Sequence, residues 1–180
     1  MDSIKSRLPT RSDAFLIFGW CVFLIHVWSI VNILVLLPSW ALRLGLFELL
    51  GVTSYPLVFA LLESILVWLL IILLSLVLPR KVLGKDFVTQ AAIFIFFLAI
   101  LSGLMHFSVE LIFNFRLYTL VLLLIIFSIA LILSYLAGRS MKYSSAIRNL
   151  LSRVNVLSGI YIFMDLVGLS IILFRNFYPG

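Results

Sequence analysis

Residues 55–78 read YPLVFALLESILVWLLIILLSLVL, with a single charged side chain, Glu63, in the whole run. As a helix rising 1.5 Å per residue the run is ~36 Å long, enough to cross a hydrocarbon core ~30 Å thick. A water-soluble fold has nowhere to bury such a run on all sides. Four further runs share its character: Ala14–Leu37, Phe87–His106, Leu117–Ala137 and Val154–Phe174. Together they predict an all-α protein, a bundle of five transmembrane helices forming one domain over residues 1–180.

Composition agrees. Of the 180 residues 64% are hydrophobic and 11% charged, where a soluble domain carries roughly 25% charged residues. The net charge of +6 would point to nucleic acid in a soluble protein. In this chain the basic residues cluster in alternate gaps, so no nucleic-acid partner is expected. The expected partners are the bilayer itself, anionic lipid at the cytoplasmic face, and other membrane proteins or further copies of the chain. The one cysteine, Cys21, lies in the first run and has no second thiol to pair with.

Lys5, Arg7 and Arg11 precede the first run; Arg80, Lys81 and Lys85 follow the second; Arg139, Lys142, Arg148 and Arg153 follow the fourth. Only Arg43, Arg116 and Arg175 occupy the remaining gaps and the tail. The positive-inside rule therefore predicts a multi-pass protein with a cytoplasmic N-terminus and a C-terminus on the outer side. The first run is longer than the ~7–15-residue core of a signal peptide and reads as a retained span.

Two linkers carry more than turn residues. Ser39–Leu50 lies between Pro38 and Gly51, a start and a stop, and is too short to span. It predicts a short helix in the outer interface. Arg139–Arg153 mixes four basic residues with Met141, Ile147, Leu150 and Leu151, which suits either a helix on the cytoplasmic leaflet or a solvated loop.

Polar residues inside the runs are few, and each ionisable one costs ~2.5–3.5 kcal/mol to insert. His26, Asn32, Glu63 and Asp165 are the intramembrane candidates. Measured from the cytoplasmic ends, His26 and Asp165 both lie ~16–18 Å deep, so they are expected to pair if the first and fifth spans are neighbours. Glu63 falls ~12 Å below the outer boundary. Ser158, Tyr161, Asp165 and Gly168 share one face of the fifth run by helical spacing.

A second candidate group sits at the outer end of the third run. His106 and Glu110, four residues apart, are followed by Asn114 and Arg116. They read as a hydrogen-bonding or ion-pair cluster in preference to metal ligands, and no metal or cofactor is expected. A haem held between His26 and His106 is disfavoured, because their depths differ by ~11 Å. Small residues mark helix-packing positions: Ala99 and Gly103 in the third run, and Ala130, Ser134 and Gly138 at four-residue steps in the fourth, facing either the bundle or another protein.

No nucleophile elbow, HExxH sequence, acidic cluster or Gly-rich phosphate loop is present, so catalysis is not expected. The functional expectation is a non-catalytic subunit or accessory protein of a larger membrane complex. A small-solute or proton-coupled transporter using Glu63, Asp165 and His26 is one alternative. A lipid-handling protein with Ser39–Leu50 as a gate is another.

Overall fold

A computed structural model describes residues 9–77, 86–107 and 116–177. All regular structure among them is helical. The helices are α1 Arg11–Ala41, α2 Leu46–Val77, α3 Phe87–Phe107, α4 Arg116–Ala137 and α5 Met141–Phe177. All five are long and apolar enough to cross a membrane.

Their lengths differ. α3 and α4, with 21 and 22 residues, match one bilayer core at ~32–33 Å. α1 and α2, with 31 and 32 residues, reach ~46–48 Å, and the 37 residues of α5 reach ~55 Å.

The helix starts follow local chemistry. Thr10 caps α1, its hydroxyl accepting the Asp13 N–H at 3.2 Å. Asp86 caps α3, accepting the Val88 N–H at 3.2 Å. The Gly45 N–H donates to Glu48 Oε2 at 3.1 Å, the backward half of a capping box at the start of α2.

That cap overturns the expected interfacial helix. Ser39–Leu50 is not a separate element: α1 runs through Pro38 to Ala41, the chain turns over residues 42–45, and α2 is already helical at Leu46. Both punctuating residues misled. Proline is tolerated inside transmembrane helices, and Pro38 and Pro56 both sit within helices here. Gly51 is a packing position, with the Arg175 guanidinium occupying the space beside its Cα. Because α2 starts earlier than expected, Glu63 lies mid-helix, ~21 Å from the nearer end. The basic segment from Met141 to Arg153 is helical but continuous with the fifth span, forming the first turns of α5.

The chain packs as two compact units, one within residues 1–17 and 70–152, the other within 18–69 and 153–180. In the second unit α5 meets α1 and α2. Ser158 Oγ donates to the Gly19 carbonyl of α1 at 2.6 Å, and seven residues further along both helices His26 meets Asp165. Equal advance on both means that α1 and α5 run parallel. On α2 the order reverses, with Ser54 against Gly168 and Gly51 against Arg175, so α2 is antiparallel to α5. The edge of Phe18 meets Trp68 with ring centroids 5.6 Å apart.

In the first unit α3 packs on α4. Ala130, Ser134 and Gly138 are buried, and the Gln90 side chain fills the space beside Gly138. The small-residue ladder of α4 thus faces the interior of its own bundle. Ala99 and Gly103 on α3 are half-buried.

Candidate functional site

The buried polar centre of the second unit is built on α1 and α5. His26 and Asp165 are 0% and 1% exposed. His26 Nδ1 lies 2.7 Å from the Val22 carbonyl of its own helix. A carbonyl only accepts, so the proton on that nitrogen is assigned and Nδ1 donates. His26 Nε2 stands 3.0 Å from both carboxylate oxygens of Asp165.

One proton belongs in that second contact. It sits either on Nε2, giving imidazolium with carboxylate, or on Asp165, giving two neutral groups. In both arrangements the pair carries no net charge, which is the condition for burying it in a low-dielectric interior. The Tyr161 ring covers the imidazole, stacked at 5.4 Å and 5°. Ser158 and Gly168 on the same face of α5 are also buried.

The remaining candidates disperse. Asn32 is half-buried on α1. Glu63 is exposed on α2 and has no hydrogen bond or ion pair among the described residues. His106 is exposed near the end of α3. Glu110 and Asn114 lie outside the described residues, as does the side chain of Arg116, so the expected outer cluster does too.

A second polar centre, in the first unit, was not anticipated from sequence. Arg148 on α5 donates from Nη2 to Asp86 Oδ1 at 2.7 Å and from Nε to Asp86 Oδ2 at 3.2 Å. Its Nη1 reaches Asp13 of α1 at 2.7 Å. Thr89 and Ser144 hydroxyls also donate to Asp86. One guanidinium thereby ties together the starts of α1 and α3 and the first turns of α5.

Burial alone would raise the Asp86 carboxyl. The hydrogen bonds from Arg148, Ser144 and Thr89, with the Arg148 charge, outweigh it and hold the group at about 2. Asp86 in turn raises Arg148 further, so the cation is permanent. The available signal was Asp86 itself, an acidic residue directly before an apolar run with Thr89 three residues on, which is a helix-start pattern. Its distant partners have no sequence signature.

Five apolar helices of spanning length, a buried His26–Asp165 pair without net charge, and apolar side chains such as Phe59, Leu66 and Phe163 exposed define an integral multi-pass membrane protein. No family model, curated protein or solved structure matches the chain.

Proposed function

We propose that the protein is a non-catalytic integral subunit or accessory component of a larger membrane complex, docked through the face of α2 that carries Glu63. The observation behind this reading is the exposure of Glu63 in mid-helix, without a partner among the described residues. Phe59, Leu62 and Leu66, 50–64% exposed, flank it at helical spacing and form one continuous outward stripe. Lipid tails offer a carboxyl no hydrogen bond, and leaving one among them costs a few kcal/mol. A protein neighbour presenting a hydrogen-bond donor removes that cost, and the apolar stripe supplies shape for helix packing.

The transporter reading has less support. It needs Glu63, His26 and Asp165 to act together, whereas the histidine–aspartate pair is fully buried and Glu63 faces outward. In the proposed arrangement the N-terminus is cytoplasmic, because ten of the thirteen basic residues then lie on that side. The parallel course of α1 and α5 suits this odd-numbered threading. The test is purification of the tagged protein at its native level in mild detergent, followed by mass spectrometry. Defined membrane-protein partners in fixed ratio are expected; a solitary monomer would count against the proposal.

A further inference from the structure

A cavity of about 530 Å³ opens in the first unit. Its walls are apolar: Ile71 and Leu74 from α2, Ala91 and Phe94 from α3, Phe127 and Leu131 from α4. Polar groups gather toward the ends of α3 and α4 that meet the basic segment, where Gln90, Ser134 and Tyr135 join the lining. One turn beyond Tyr135, the Arg139 guanidinium lies over the Tyr135 ring, 4.3 Å from its centroid. Arg139 is exposed and has no carboxylate partner among the described residues.

We propose that this cavity holds one acyl chain of an anionic phospholipid, with the lipid phosphate on Arg139. The medium around it is hydrocarbon, and an apolar cavity of this size left empty would forfeit the dispersion contacts of its whole lining. Its volume lies within the ~300–1,000 Å³ range of small-ligand sites. The lining advances along α4 from Phe127 to Tyr135, a rise of ~12 Å. That is most of the ~15 Å half-thickness of the bilayer core that an acyl chain traverses. Selection lies at the mouth, where Tyr135 holds the guanidinium by cation–π stacking: its planar fork of donors matches a phosphate, and its charge favours a phosphate that no headgroup cation neutralises.

The experiment is native mass spectrometry of the full chain from micelles doped with equal amounts of palmitoyl-oleoyl phosphatidylglycerol and phosphatidylcholine. The chain is expected to retain one lipid, favouring phosphatidylglycerol about fivefold, the equivalent of the ~1 kcal/mol that a basic residue contributes at an anionic surface. Arg139→Gln should abolish the preference while leaving a lipid bound. Leu131→Trp, at a position 46% exposed and therefore tolerant in folding, should expel the lipid by filling the cavity. Lys142→Gln, outside the cavity, should change neither.

An acyl chain carrying a diazirine should crosslink to peptides of α3 and α4 in the wild type. An undiminished preference in Arg139→Gln, retention of lipid in Leu131→Trp, or crosslinks spread evenly over all five helices would overturn the proposal.

Discussion

His26 Nε2 stands equidistant from the two carboxylate oxygens of Asp165, 3.0 Å from each, across 139 residues of sequence. The imidazole is also held from behind by the Val22 carbonyl, so its orientation has an anchor besides Asp165. What Asp165 supplies is the partner for Nε2.

That division predicts different outcomes for two substitutions. Asp165→Asn keeps a donor for Nε2 of the neutral imidazole and should cost less than ~1 kcal/mol, since interhelical hydrogen bonds in membranes average ~0.6 kcal/mol. Asp165→Leu leaves a buried nitrogen without a partner and should cost ~1–3 kcal/mol. Reversible unfolding in mixed micelles measures both. Equal losses would show that the pair acts as a charged unit rather than through one shared proton.

The Asp86 cluster predicts acid sensitivity. Its carboxyl falls from 3.8 to about 2 on folding. A group depressed in this way contributes stability that is present above pH ~4 and is lost as pH falls toward 2. Arg148 is 39% exposed at its side chain, so screening reduces the contribution to roughly 1–2 kcal/mol. Thermal unfolding followed by tryptophan fluorescence should show this loss in the wild type and a flatter profile in Asp86→Asn. A variant that tracks the wild type down to pH 2 would show that Asp86 is not the acid-sensitive group.

Close helix contacts set a size limit at two glycines. A side chain at Gly19 meets the Asn155 carboxamide, whereas one at Gly168 meets Ser54 at 3.4–3.6 Å, ordinary van der Waals contact. Gly168→Ala should therefore be nearly silent. Gly19→Leu should force α1 from α5, break the Ser158 hydrogen bond to the Gly19 carbonyl, and cost ~1–3 kcal/mol by overpacking. The same unfolding assay ranks them, and the reverse order would contradict the packing described.

Some of this was legible in the residues and some was not. The spans were, because ~20 consecutive apolar side chains admit one environment. The His26–Asp165 contact was readable from depth, since two residues equally far from the same membrane face are brought level when their helices run parallel. The turn between α1 and α2 was misplaced: Pro38 and Gly51 stop helices in water, but here the break comes at residues 42–45, where Gly45 and Glu48 form the cap.

The Arg148 cluster was hidden for another reason. Arg148 contributes to the positive-inside bias whether or not it is paired, so its sign carried no information about Asp13 or Asp86. Gly19 belongs to no small-residue ladder, and its role depends on an asparagine of a distant helix.

Whether Glu63 docks a partner is tested by native mass spectrometry of the assembly isolated at native expression, comparing wild type with Glu63→Leu. A fixed-ratio complex with another membrane protein is expected for the wild type. The variant should give a folded, solitary chain whose bilayer insertion is easier, because a costly carboxyl has gone. An unchanged complex in Glu63→Leu, or a wild type that already emerges as a monomer, would contradict docking through Glu63.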